Sequence, residues 1–153
     1  MKRLGSLALL IGLCGILAAS CAQAQWAFGL RTGVYTDGSD LFVGAEFLTP
    51  MGPGPWKFNP NIEWAFVSNG NLFTLNADFT FDLAPTKAVD IWVGGGPALV
   101  YRSRDRGDDE ADPGLNLLAG VGFLRGRAVS PYFLGKILIS DNTQAILGFG
   151  VRF

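Results

Sequence analysis

Histidine is absent from this 153-residue chain, and cysteine occurs only at Cys14 and Cys21. The absence excludes an imidazole base, an imidazole metal ligand and the Ser–His and Cys–His catalytic pairs. A Ser–Lys site, for example Ser140 with Lys136, is chemically possible, but no motif spacing supports it. The composition therefore predicts a protein that is not an enzyme, with no cofactor and no metal site.

Long apolar runs are missing after the first 24 residues. Residues 1–3 are Met-Lys-Arg, residues 4–19 are mostly apolar, and residues 22–24 are Ala-Gln-Ala. A basic start, an apolar stretch and an A-x-A site are typical of a cleaved signal peptide. We therefore expect residues 1–24 to be a signal peptide and residues 25–153 to form one exported domain.

Two other interpretations of the leader stay open. The apolar stretch could be retained as a transmembrane helix. Alternatively, the chain could be processed as a lipoprotein at Cys21, because Ala18-Ala19-Ser20 before it partly resembles a lipobox. If cleavage follows Ala24, the mature chain has no thiol, which excludes disulfides and thiolate metal sites.

Positive charge is also in short supply. Residues 1–24 hold two of the 12 Lys and Arg residues and none of the 13 Asp and Glu residues, so the remainder has a net charge of −3. This balance argues against nucleic acid as a partner. The chain is nevertheless 49% apolar with 21 glycines. Such a composition without a second helical span predicts apolar residues spread over one face of many strands.

Alternation of apolar and small or polar residues recurs along the chain, and turn-forming residues separate the alternating segments. The pattern predicts eight strands, at 26–35, 41–49, 57–67, 72–83, 88–102, 114–124, 130–140 and 143–153. Proline is rare inside closed sheets because it cannot donate a backbone hydrogen bond. We therefore expect bulges or strand ends at Pro60, Pro97 and Pro131.

The two faces of these strands differ in size and polarity. In the last segment Leu147, Phe149 and Val151 share one face, whereas Gly148 and Gly150 lie on the other. Small and charged residues suit a narrow lumen, and bulky apolar residues suit lipid. The pattern predicts an all-β fold, an eight-stranded antiparallel up-and-down transmembrane barrel. A soluble periplasmic barrel that binds a small apolar ligand is the alternative, and it requires the apolar face to point inward.

Charged residues on the inner face form the candidate site. Because buried charges are tolerated only when paired, we expect these residues to form salt bridges in the lumen. A structural plug is the favoured interpretation and a narrow channel is the alternative, since an eight-stranded interior is barely wide enough for its own side chains. Trp92 has the same parity and is expected to pack in the lumen. The predicted lumen charge network consists of Arg31, Glu46, Glu63, Asp78, Lys136 and Arg152.

One loop, residues 102–112, is the most charged stretch of the chain. Its arginines could bind lipopolysaccharide phosphates and its carboxylates could bind divalent cations, although the ligand spacing of an EF-hand is lacking. A solvated loop is the simpler interpretation. It lies on the outer side of the membrane if the chain begins on the periplasmic side.

The last ten residues, Gln144 to Phe153, alternate and end in an aromatic residue. This segment resembles the C-terminal signature of outer-membrane barrels. With the leader, the chain resembles the small barrels that include the OmpA transmembrane domain and the opacity-type surface proteins. The resemblance implies a bacterial outer-membrane location, with outer-membrane lipid and lipopolysaccharide as partners. It also implies that the barrel-assembly machinery recognises Leu147, Phe149, Val151 and Phe153 during biogenesis.

The function expected from these features is a structural or surface-interaction role in the cell envelope, with the lumen filled by side chains. The physiological ligand and the oligomeric state stay open.

Overall fold

The computed structural model describes residues 26–67, 70–83, 88–104 and 109–153, with only the backbone described for Arg104. The predicted leader, residues 1–24, and the loop residues 105–108 lie outside the described residues. Within the described ranges, no helix is long and apolar enough to cross a membrane.

Eight antiparallel strands follow one another along the chain, which confirms the predicted count. The sixth strand begins four residues earlier than predicted, because Glu110 pairs with Arg102 of the fifth strand despite the charged sequence. The strands are β1 (Ala27–Tyr35), β2 (Asp40–Pro50), β3 (Trp56–Val67), β4 (Gly70–Asp82), β5 (Val89–Arg104), β6 (Glu110–Phe123), β7 (Ser130–Ile139) and β8 (Gln144–Arg152).

The sheet closes on itself. Each strand pairs with its neighbours in sequence, and β8 returns to pair with β1, for example at Arg31 and Gly150. Closure removes the edge strands whose backbone groups would otherwise need water. Ala27 and Arg152 lie at the same end of the barrel as the second, fourth and sixth connections, because the number of strands is even.

Bulky apolar side chains cover the exterior, as the alternation predicted. The soluble-barrel alternative is wrong, because it required these residues to face the interior. The exposed residues include Leu30, Val43, Phe47, Ile62, Trp64, Leu75, Phe79, Val93, Leu117, Phe133, Ile137, Leu147 and Phe149.

The expectation of bulges or strand ends at the prolines is wrong for Pro60 and Pro97, which lie inside β3 and β5. It is confirmed for Pro131, which lies at the start of β7. A bulge would insert a residue and turn the lumen residues that follow it, such as Asn61, toward lipid. A strand that keeps its register and loses one backbone donor therefore costs less than a bulge. The flanking pairs keep one register: Glu46↔Asn61 and Thr49↔Phe58 around Pro60, and Asn76↔Ala98 and Phe79↔Gly95 around Pro97.

Glycines in the lumen make room for two large aromatic rings. Trp92 is buried, as its parity predicted, and it lies over Gly120. Tyr132 lies over Gly150, and its ring meets that of Trp92 edge to face with centroids 5.7 Å apart. Small residues therefore lie opposite large ones across the narrow interior, and this arrangement allows the lumen to be closely packed.

Replacing Gly120 with alanine is expected to destabilise the barrel by about 1–3 kcal/mol, the usual cost of overpacking. The new Cβ would lie 2.3 Å from Cζ2 of Trp92, whose ring cannot move without displacing Tyr132. Urea unfolding in detergent, followed by tryptophan fluorescence, measures the change. Gly135→Ala is the matched control, because no atom lies within 4 Å of its added Cβ. Equal stability of the two variants would contradict this packing.

Candidate functional site: the lumen charge network

The six predicted charged residues lie on the lumen faces of six different strands: β1, β2, β3, β4, β7 and β8. All are buried except Arg152, whose side chain is 13% exposed. The closure of the sheet brings together residues that are far apart in sequence. Lys136 and Glu63, for example, are 73 positions apart.

Glu63 is the centre of the network. Its carboxylate oxygens lie 2.7 and 2.8 Å from Nζ of Lys136, and Oε1 lies 2.8 Å from Nη2 of Arg31. The hydroxyls of Tyr35 and Thr74 donate to Oε2 at 3.0 and 3.1 Å. Two cations and two hydroxyls therefore offset the cost of burying this carboxylate.

Glu46 holds the other half of the network. Its Oε1 accepts from Nε of Arg152 at 2.7 Å, and its Oε2 accepts from the amide of Asn59 at 2.9 Å. Nη1 of Arg31 lies 3.8 Å from Oε2 of Glu46. Arg31 thus bridges Glu46 and Glu63, so a single ionic chain crosses the lumen.

Arg152 has a second set of contacts that the sequence did not predict. The Cζ atom of its guanidinium lies 4.3 Å from the ring centroid of Tyr132 and 4.6 Å from that of Trp92. Cation–π attraction of this kind is strongest where water is excluded. The inner parity of both aromatic residues was the available signal, but parity alone does not identify contacts across the lumen.

Asp78 differs from the other five residues. It was expected to pair with a cation, but its two carboxylate oxygens accept hydrogen bonds from the amides of Asn61 and Asn116, each at 2.8 Å. Asn61 in turn accepts from Arg31. The amide of Asn116 also donates to Oδ1 of Asn76 at 2.8 Å. Asparagines therefore connect Asp78 to the ionic chain, since an amide can donate and accept at once.

The sequence did not predict that four further charged residues form a second ionic cluster. It lies at the end of the barrel that holds Ala27 and Arg152. Nζ of Lys57 lies 2.6 Å from Asp82, and Arg125, in the β6–β7 connection, lies 3.3 Å from Asp82 and 3.1 Å from Asp90. The charges of this cluster balance, with two cations and two anions. The signal that could have identified its members is their position beside the second, fourth and sixth connections, which share one end of the barrel.

The charged loop of the fifth connection pairs within itself where it is described. The hydroxyl of Tyr101 donates to Asp109 at 2.6 Å, and Nη1 of Arg102 lies 2.9 Å from Oδ2 of Asp112. These contacts link the end of β5 to the start of β6. The proposed contacts of this loop with phosphates or divalent cations stay predictions.

The residues of the predicted assembly signal lie together on the lipid-facing side of the last strand and just beyond it. The backbone amide of Phe153 donates to the carbonyl of Phe28 at 2.8 Å, which extends the β8–β1 pairing to the terminus. The predicted residues are Leu147, Phe149, Val151 and Phe153. The structure places them on one face, and their recognition by an assembly machinery stays a prediction.

Comparison with solved structures identifies barrels of the same design. The N-terminal β-barrel domain of Pseudomonas aeruginosa OprF superposes with a TM-score of 0.69 at 14% identity, covering 84% of this chain and 95% of that one. Neisserial surface protein A superposes with a TM-score of 0.63 at 16% identity, covering 83% and 93%. Ail, the attachment invasion locus protein of Yersinia pestis, gives 0.51 at 14% identity, covering 84% and 96%.

The fold is that of a small outer-membrane β-barrel. This agrees with the family resemblance of the last ten residues. No protein-family model matches the sequence, and no curated protein is similar to it. The likeness to solved structures therefore concerns the fold and not a particular activity.

Replacing Glu63 with glutamine is expected to destabilise the barrel by about 3–5 kcal/mol, because it leaves two buried cations without their shared anion. Urea unfolding in detergent measures the loss. Asp112→Asn removes an ion pair at the more exposed rim and is expected to cost less than about 1 kcal/mol. The double variant Glu63→Gln, Lys136→Met should recover part of the loss. A Glu63→Gln variant as stable as Asp112→Asn would contradict the central role of Glu63.

Proposed function

We propose that this chain is an integral protein of the bacterial outer membrane with a structural or surface-interaction role, and that its lumen is filled by side chains and does not conduct ions. The observation that carries the proposal is the pairing of charges inside the barrel. Glu46 and Glu63 are bound by cations, and Asp78 is bound by amides. Such a network cross-links the strands and fills the middle of the lumen with paired side chains.

The exterior supports contact with outer-membrane lipid and lipopolysaccharide. Aromatic side chains lie near both ends of the barrel, as in the interfacial girdles of membrane barrels. Trp26 and Trp56 are exposed at the end where β1 begins and β8 ends, and Trp64 and Tyr101 are exposed near the other end. An apolar surface lies between these two rows, where acyl chains would cover it.

Surface interaction is assigned to the first, third, fifth and seventh connections. They share the end where β1 ends and β8 begins, which we place outside the cell. The β5–β6 hairpin supplies the most charged of these connections. Residues 1–24 are proposed to direct export as a cleaved signal peptide.

No enzymatic activity is proposed. The chain has no histidine, and the buried carboxylates Glu46, Glu63 and Asp78 are all held by donors. A general base needs an accessible lone pair within reach of a substrate proton. These carboxylates lack that access in the closed barrel.

Localisation and conductance together test the proposal. The full chain is expressed, membranes are fractionated, and the recovered protein is run on gels with and without boiling. Outer-membrane recovery, a heat-dependent mobility shift and silence in planar bilayers are expected. Recovery in the soluble periplasm or stable open-channel currents from the unmodified protein would overturn the proposal.

Replacing Phe153 with alanine is expected to reduce the amount of folded protein in the outer membrane several-fold, because the last strand is proposed to carry the assembly signal. Quantitative immunoblots of boiled and unboiled membranes measure the effect. Phe133→Ala, another exposed aromatic on the lipid face, is the control. Purified Phe153→Ala should still refold in detergent. Equal losses in the two variants would indicate general destabilisation instead of a lost signal.

A further inference from the structure

A cluster of buried apolar side chains crosses the lumen between the charge network and the odd-numbered connections. We call this cluster the apolar layer. Its members come from seven of the eight strands, so it extends around the barrel wall. The apolar layer consists of Tyr35, Phe42, Ala65, Leu72, Ala98, Val100, Leu138 and Ile146.

The layer lies on one side of the charge network. On every strand that supplies a charged network residue, the layer residue lies nearer to the odd-numbered connections. On β1, for example, Tyr35 lies beyond Arg31, and on β7 Leu138 lies beyond Lys136. The network and the layer are therefore stacked along the barrel axis, and anything that passes through the lumen must cross both.

The layer is closely packed. Phe42 has no exposed surface, and its ring covers Gly33 and Gly148, which offer no side chains of their own. The ring of Tyr35 meets it edge to face with centroids 5.6 Å apart. Leu138 is also fully buried, and its Cδ1 would lie 3.0 Å from a Cβ added to Gly114. Large side chains thus fill the space that small residues leave.

Polar side-chain atoms are almost excluded from the layer. Its one side-chain hydroxyl, that of Tyr35, donates to Glu63 and so belongs to the network. Five buried side-chain polar atoms lack a protein partner among the described residues, and they lie on both sides of the layer. Nε of Arg31, Oδ1 of Asn116 and the hydroxyl of Tyr132 lie on the network side. Nη2 of Arg102 and Oε1 of Gln144 lie on the outer side. Buried polar groups of this kind are usually satisfied by internal water.

We propose that the apolar layer, and not the charge network, is the permeability barrier of the lumen, with water reaching the interior only on either side of it. A hydrophobic constriction excludes ions because it dewets and offers no replacement for their hydration shell. A charge network can rearrange around water, but the only polar side-chain atom of the layer is the Tyr35 hydroxyl, which already donates to Glu63. This inference rests on the proposed non-conducting function and states which residues cause it.

The test shortens side chains of the apolar layer and leaves every charged residue unchanged. The double variant Phe42→Ala, Leu138→Ala removes two of its fully buried large side chains. The control, Leu118→Ala with Leu134→Ala, removes buried apolar side chains from a separate cluster around Trp92 and Tyr132 on the other side of the network. Each purified protein is checked for the heat-dependent mobility shift and then recorded in planar bilayers in potassium chloride.

The layer variant is expected to raise the frequency of open-channel events on the order of tenfold or more above the unmodified protein, because water and ions can then enter the constriction. The control and Glu63→Gln are expected to stay silent. A folded but silent layer variant would overturn the inference, as would conductance in Glu63→Gln alone. Conductance in the unmodified protein would instead overturn the proposed function, so the two failures are distinguishable.

A second variant covers the case in which the shortened side chains prevent folding. Val100→Thr with Ile146→Thr keeps most of the volume of the layer but adds two hydroxyls to fully buried or nearly fully buried positions. These hydroxyls are expected to hydrate the layer and to raise the frequency of open-channel events above that of the unmodified protein. A folded Thr variant without such events would also contradict the proposal.

Discussion

Backbone hydrogen bonding in a medium without water is the constraint on which the rest of this structure depends. Lipid offers no donors or acceptors, so the eight strands must satisfy one another and the sheet must close. Closure determines the register of each strand pair, because a slip of one residue would exchange the lipid-facing and lumen-facing residues. The two interior prolines show the strength of this constraint. Pro60 and Pro97 each remove a donor, yet the pairs on either side of them keep the same register.

A closed sheet of eight strands leaves little room inside, and this limit explains the choice of lumen residues. Trp92 and Tyr132 fit because Gly120 and Gly150 face them. The charges occupy positions where partners from other strands reach them, so that Glu63 receives both Lys136 and Arg31. Burial in so narrow a space makes each unpaired charge costly. The network therefore joins distant strands as well as filling the interior.

The interior is arranged in levels along the barrel axis. An ionic cluster around Asp82 lies at the end where β1 begins and β8 ends, the charge network occupies the middle, and the apolar layer lies toward the odd-numbered connections. Polar levels stabilise the barrel by cross-linking its strands, whereas an apolar level excludes water. The solved barrels that superpose on this chain at 14–16% identity share its architecture.

The sequence by itself determined the strand count, the assignment of the two faces and the lumen-facing position of the six charged residues, because a period of two is a local property that each strand expresses alone. It did not determine which side chains contact each other across the lumen. Asp78 was expected to meet a cation and meets Asn61 and Asn116 instead. The sequence did not predict the apolar layer either, because the members of the layer lie between positions 35 and 146, with one or two on each of seven strands. Only the stagger of the strands in the closed barrel decides which residues share a level, and that stagger depends on all eight strand pairings together.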